Sequence, residues 1–485
     1  MEINDLTPAE ERVWRAFPRG ENVDFRDTPD EDAATGGDWG PERTLRASVL
    51  RALLVSAPAE DGEISALRIT GARITGPLDL TYAVLDRPVR MSHCHFDGHL
   101  EFYGTRLPRL NLRGSVLPGL RLASARVDGS VQLSGCRAGR LMLAGTEIGG
   151  AVFLERAELG AEDDAPVLQL NQTAIGDDLW APGLRTRGEI RATGASVAGS
   201  VNLNESRLTH PGRTALDAET LTVEGDVQIR HAEVRGGVGL RGARIAGRLD
   251  LSYTLLSHPG GTALQASSCS LGELWLRRGP AVEGTLNLRR SQLEALFVDP
   301  EVVPDSVHLS DLTYAALAPH IPAEHRLPML ERDRDGYVPH AYEQLTAAYR
   351  RIGDDHAVRL VQLAKQRRHR RTLPWYGRMW GLVQDVTVGY GFRPLRAAVW
   401  LLSLLAIGSA AFALHHPQPL KAGEAPPFNP VFYTLDLLLP VLSFGQESAY
   451  APRGGYQALA YALVLTGWIL ASTVIAGVTR TVSRQ

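Results

Sequence analysis

Cysteine is scarce in this chain, three among 485 residues, and aromatic residues make up only 7% of it. Cys94, Cys136 and Cys269 stand far apart, which excludes a disulfide-stapled scaffold and any Cys-x-x-Cys metal knuckle. They are read as reduced core residues, because neighbouring repeats mostly place Ala, Thr or Ser there. Charge of one sign is lacking too. Lys and Arg number 51 against 54 Asp and Glu, a net of −3, so no nucleic-acid partner is expected. Met1 to Arg51 is polar and acidic, without the apolar run of a signal peptide. There is no P-loop and no nucleophile elbow. Within 61–315 no unit holds the ten or more apolar-periodic residues of a helix, which excludes helical repeats.

What is present is a repeat of short strands. Apolar pairs return every ten to twelve residues from Leu67 to Leu309, beginning Leu67/Ile69, Leu78/Leu80, Val89/Met91, Leu100/Phe102 and Leu110/Leu112. A partner two residues on is the strand period. Weaker pairs lie between them, such as Ala72/Ile74 and Ala125/Val127, and Gly76, Pro88, Gly98 and Gly129 turn the chain. Three longer steps start at Val152, Val201 and Leu249, 49 and 48 residues apart. Two of them carry near-copies, THPGRTALDA from Thr209 and SHPGGTALQA from Ser257. An insertion after every four passages must project from one side. His210, Pro211, Gly212, Arg213, His258, Pro259 and Gly260 therefore form a candidate binding ridge. With two passages per coil, roughly 22 residues, about eleven coils and a rod of ~50 Å follow. The pattern resembles the pentapeptide-like β-solenoid proteins, which implies a parallel β-helix of small and aliphatic residues around a square coil.

Residues 1–60 read as a helical cap. Thr7-Pro8-Ala9-Glu10 is a capping box for a helix through Phe17, Arg19 to Gly40 is a loop, and Pro41 opens a second helix ending by Pro58. The solenoid occupies 61–315. Over 325–372, Tyr342, Leu345 and Tyr349 share a helical face, Gly353 stops that helix, and Asp354 and Asp355 can cap the next. This resembles a single tetratricopeptide hairpin. It runs into Lys365, Arg367, Arg368, Arg370 and Arg371, expected to meet anionic lipid headgroups. Residues 373–485 are expected to form a membrane domain with spans at about 397–414 and 455–478. Arg393, Arg396, Arg480 and Arg484 then place the solenoid on the cytoplasmic side of a multi-pass cell-membrane protein. The expected fold class is an all-β solenoid with an N-terminal helical cap, followed by a helical hairpin and a two-helix transmembrane domain. Pro430 to Phe444, too short to span and broken by Pro440, suits a re-entrant or interfacial loop.

Span, short apolar loop and span together resemble the pore unit of two-span cation channels, which implies a candidate pore loop of Asp436, Pro440, Ser443, Phe444, Gly445 and Glu447. The filter signature TVGYG lies elsewhere, at Thr387 to Gly391, and is read as a turn. Asp436 is read as facing water at an interface, the alternative being a functional charge at membrane depth. Gly237 to Gly242 satisfies G-x-G-x-x-G, but no helix follows it, so it is a turn. His93, Cys94 and His95 alternate across a strand and with His99 do not converge on a metal. The whole-chain order, most specifically Tyr342 to Arg396, resembles bacterial membrane proteins labelled membrane-associated oxidoreductases. The leading expectation is a non-enzymatic membrane protein whose solenoid is a scaffold for a protein partner, with no cofactor or metal and with homo-oligomerisation open. A gated channel is second and an oxidoreductase third.

Overall fold

A computed structural model describes residues 5–56, 64–161, 163–391, 394–421, 426–439 and 443–482, the side chains at 387, 388, 391, 394, 395, 397 and 472–482 excepted. The expected helix end at Pro58, the loop proline Pro440 and Arg484 lie outside these residues. The chain divides into two compact units, 1–344 and 345–485.

The first unit is a parallel β-solenoid of about 11 turns. Leu67 lies beside Val89, then Leu110, Val131 and Val152, so one coil takes 21 or 22 residues. The step stretches to 27, 26 and 25 residues where Val152 meets Leu179, Val201 meets Val227 and Leu249 meets Leu274. These are the three long steps of the sequence. The second coil has four short strands, Val89–Ser92, His95–Phe96, Leu100–Glu101 and Arg106–Leu107, and later coils stack on these four positions. The cross-section is thus four-sided, and adjacent strands join across a corner in Val116–Arg121, Arg137–Met142 and Arg207–Asp217 and again from Glu233 onward.

Alternation decides what is inside. In Val131–Gln132 and its neighbours the first residue is buried and the second faces out, repeated along the stack. At inward corners a hydroxyl donates to a carbonyl of the preceding coil: Thr105 to Leu80 at 2.8 Å, Ser115 to Met91 at 2.9 Å, Thr146 to Leu122 at 2.7 Å. Cys136 and Cys269 take the same place, their thiols 2.9 Å from the Leu112 and Leu240 carbonyls. That is why the sequence exchanges Cys with Ser and Thr there. Burial pushes the Cys94 and Cys136 thiols up to about 12, so neither offers a thiolate near neutral pH.

Both ends are covered. Helix α1 (Pro8–Ala16) has the expected capping box, with Thr7 and Glu10 bonding each other's backbone N–H. The expected second helix begins later. Pro41–Arg43 is a 3₁₀ turn, Thr44–Arg46 pairs with Arg73–Thr75, and α2 runs over Ala47–Ser56. Val23–Asp24, expected in a loop, pairs with Ile69–Thr70. Both departures have one cause: a bare coil edge has unpaired N–H and C=O groups, and the N-terminal segment satisfies them. At the other end α3 (Ala323–Glu331) sends the buried Arg326 to the Pro319 carbonyl at 2.6 Å.

The second unit corrects the sequence reading. No helix among the described residues is long and apolar enough to cross a membrane, so the expected two-helix transmembrane domain is not supported. Helices α7 (Pro394–Leu414), α8 (Pro430–Leu438) and α9 (Gly455–Val482) instead pack on one another. Their shared core holds Phe412, Tyr433, Leu437, Leu438, Tyr450, Ala460 and Leu463. The small residue Gly467 serves this packing: a Cβ there would lie 2.3 Å from the Leu438 carbonyl oxygen. Ahead of them α4 (Pro339–Arg351) carries Tyr342, Leu345 and Tyr349, all buried. α5 (Asp355–Thr372) is capped by Asp354, which accepts from Ala357 N–H at 2.9 Å.

Candidate functional site

The three insertions stack on one wall, on alternate coils. The first follows Glu158–Gly160, and the others lie inside the long strands Arg207–Asp217 and Leu255–Gln265, where the pairing register breaks between Thr209 and Thr214 and between Ser257 and Thr262. Arg213 reaches back to Asp164 of the first insertion at 2.9 Å, and Arg140 bonds Asp163. Arg213 thus ties the second loop to the first. Pro211, Gly212 and Arg213 are exposed, with Pro259 and Gly260 in the equivalent place. His210 turns its Nδ1–H onto the Thr214 carbonyl at 2.8 Å, pinning its loop. His258 lies over Gly261, its enclosed Nδ1 without a hydrogen-bond partner.

Each intervening coil places a glycine under the loop. Gly188, Gly236 and Gly284 have φ of +130°, +136° and +126°. A Cβ on Gly236 would sit 2.8 Å from both the His210 and Arg213 oxygens, and one on Gly284 would sit 2.6 Å from that of His258. The sequence reading noticed the insertions and missed these glycines, although they recur 48 residues apart.

Beside the ridge runs a groove of about 590 Å³, floored by Gly139 and Gly160 and lined by Arg137, Glu158, Arg185, Arg187 and Arg207. Strand register sets this series: Arg137, Glu158, Arg185 and Arg207 follow one another on successive coils. Alternation made these positions outward in the sequence, but their stacking needs the lengths of the insertions, which the sequence pattern alone did not align.

Inside the coils there is almost no room. The enclosed cavity from Leu154 to Leu240 measures about 40 Å³ and is lined by aliphatic side chains alone. It holds neither a flavin nor a nicotinamide. Gly237-Val-Gly-Leu-Arg-Gly242 crosses the strand Glu233–Gly239 and a left-handed corner at Gly242, with no helix following.

Other candidate residues are dispersed or tied down. His93 sits at a corner, while His95 bonds the Ala33 carbonyl through Nδ1 at 3.0 Å. One ligand-like group occurs among the described residues, His308, Asp333 and Asp335, their donor atoms within 4.8 Å of one another. Arg289 already occupies it, with Nε 2.8 Å from Asp335 and Nη2 2.9 Å from His308 Nδ1. Arg289 first, then Ser310 and His308, holds the Asp335 carboxyl down at about 2, whereas burial raises that of Asp333. This is a clasp between the last coils and the segment after α3.

Asp436 does not face water. It is buried and accepts N–H groups from Phe444, Gln446 at 2.7 Å and Glu447 at 3.1 Å, so its two oxygens organise the loop after α8. A carboxylate surrounded by backbone donors needs no water. Ser443 accepts from Gly445 N–H, Gly445 turns at φ +80°, and Glu447 is exposed. The TVGYG stretch ends α6 (Trp375–Val388) through a left-handed Gly389. Of the basic run, Arg367 and Arg370 bind Asp385 on α6 at 2.9 and 3.2 Å, and Arg371 is exposed.

Fold and wall together define a four-sided parallel β-solenoid, consistent with the pentapeptide-repeat-like architecture, carrying one ridge and one charged groove. Beyond that class there is no relative to compare: no family model, no curated protein and no solved structure matches the chain.

Proposed function

We propose that the solenoid is a non-enzymatic scaffold that presents its ridged wall to a protein partner. The observation that carries this is the stacking of all three insertions onto one side, at alternate coils, cross-linked by Arg213 and Asp164. A packed aliphatic interior leaves the wall as the surface that can recognise anything. The test is cross-linking from the full chain, comparing the native protein with one whose His210–Arg213 and His258–Gly261 loops are shortened. Loss of the cross-linked partner, with the thermal melt retained, supports the ridge; an unchanged cross-link pattern refutes it. A partner identified as a second copy of this chain would make the scaffold a homo-oligomer.

A second reading concerns α6, which lays Trp375, Tyr376, Met379, Trp380 and Val386 on one face, all exposed, Trp375 by 76%. Asp385 is on the opposite face, paired with α5. An amphipathic helix with aromatic residues on one side and arginines beside it suits adsorption to an anionic lipid surface, without a span. Flotation with vesicles containing about a third phosphatidylglycerol, set against pure phosphatidylcholine, checks it. Equal recovery with both, or none with either, removes the reading.

A further inference from the structure

The groove beside the ridge has more positive charge than its own carboxylates answer. Arg137 and Arg185 share Glu158 at 3.6 and 3.3 Å, and Arg207 and Arg235 share Glu233 at 2.8 and 2.7 Å. Asp32, from the N-terminal segment, adds a second contact to Arg137 at 3.0 Å. Arg187 is exposed and has no ion-pair or hydrogen-bond partner among the described residues. Five guanidinium groups therefore meet three carboxylates.

Register makes the imbalance local. Arg185 lies directly beside Arg207 on the next coil, one strand spacing of ~4.8 Å away. Like charges directly opposite each other weaken a sheet, and nothing in the packing of the interior requires them. On the neighbouring outward row Gly160 lies beside Arg187, and the Arg187 side chain lies across it: a Cβ on Gly160 would meet Arg187 Nε at 3.4 Å. Gly139 stands on the coil before Glu158, where a Cβ would lie 2.4 Å from the Pro118 oxygen. Absent side chains make the floor and arginines make the rim. The resulting volume of about 590 Å³ falls within the range of small-molecule sites.

We propose that this groove binds a small polyanion, one with two or more phosphate or carboxylate groups, through Arg185, Arg187 and Arg207. Planar guanidinium groups bind oxyanions through paired N–H donors, and a second anionic group bridges the Arg185–Arg207 step that the protein leaves repulsive. The proposal rests on reading the ridged wall as a binding surface, and it names the chemistry that surface takes.

Calorimetric titration of the full chain tests it, with tripolyphosphate and tricarballylate as separate probes, at low salt and at about 0.15 M. One saturable site is expected for at least one probe. Arg187→Gln and Arg185→Gln each weaken it about tenfold or more, and Arg244→Gln, on the other sheet, leaves it unchanged. Binding of tripolyphosphate alone assigns phosphate chemistry, and of tricarballylate alone carboxylate chemistry. No saturable binding of either probe, or an equal loss in Arg244→Gln, overturns the proposal. Thermal melts of all three variants establish that each is folded. Failure of anion binding with the loop-dependent cross-link intact sinks the groove alone. Anion binding with a loop-independent cross-link sinks the ridge alone.

Discussion

Gly236→Ala is the sharpest test of the alternating wall. At φ +136° an L side chain is strained, which costs roughly 1–3 kcal/mol. The new methyl would lie 2.8 Å from the His210 and Arg213 oxygens and 2.9 Å from Ala215 Cβ, two of which are backbone atoms. Overpacking of that kind adds about 1–3 kcal/mol, so a total of about 2–6 kcal/mol is expected. Gly212→Ala is the control. Its φ of +74° brings a strain of about 1 kcal/mol, but nothing lies within 4 Å of the added methyl. The assay is thermal and urea unfolding followed by circular dichroism, with amide hydrogen exchange across Arg207–Asp217 and Leu255–Gln265. Gly236→Ala should lower stability by at least about 1 kcal/mol more than Gly212→Ala, with faster exchange confined to coils around the substitution, since a solenoid couples nearest neighbours. Equal losses in the two variants would show that the loop does not rest on Gly236, and the reasoning fails.

Two further outcomes follow from buried or paired carboxylates. Asp335, with a folded pKa of about 2 against a reference of 3.8, adds stability that is fully present above about pH 4 and is lost as pH falls through 2. Asp335→Asn should therefore lower the melting temperature by about 2–4 °C at neutral pH and flatten the acid limb of its pH dependence; an unchanged limb refutes the clasp. Asp333 has the opposite sign, raised by burial, so its contribution is present below its reference value and fades as pH rises through the folded one. For Asp436→Asn, amide exchange at Phe444, Gln446 and Glu447 should accelerate about 30-fold or more, as a loss of ~2 kcal/mol requires. Protection equal to the native protein at all three amides would show that the loop stands without the carboxylate.

Much of the solenoid was legible because its determinants are local. A period-two pair such as Leu110/Leu112 states both strand and burial, and the long steps after Val152, Val201 and Leu249 state where the wall must bulge. Coil edges were less legible. Val23–Asp24 and Thr44–Arg46 are too short to carry a period, and their strand character comes wholly from the first coil beside them. The apolar segments after Arg396 misled for a related reason. Composition measures how much side chain avoids water and says nothing of what covers it; here Phe412, Tyr433 and Leu463 cover one another, while Val399, Leu402, Ile407, Tyr461, Leu465 and Trp468 stay exposed. Asp436 shows the same limit from the polar side, since its three backbone donors come from a loop eight to eleven residues away.

The ridge is best understood as a property of coil pairs. An insertion bulges outward only if the next coil leaves space beneath it; Gly236 and Gly284 provide that space under the loops before them, and Gly188 makes room for the Val167 side chain that follows the first insertion. One coil of the pair carries the loop and the other carries the glycine, which gives the 48-residue period that the long steps mark in the sequence. The pairing also explains where the charged groove lies. Gly160 lies beside Arg187 from the preceding coil and Gly188 follows Arg187 directly, so the groove opens where those arginines emerge, one coil before the loop at Thr209 to Arg213. A surface built by alternating added and absent side chains has a fixed relief. Shortening one loop therefore removes one contact of a partner, whereas filling one glycine displaces the loop above it and disturbs the groove as well. The two kinds of variant should separate in any binding measurement made on this wall.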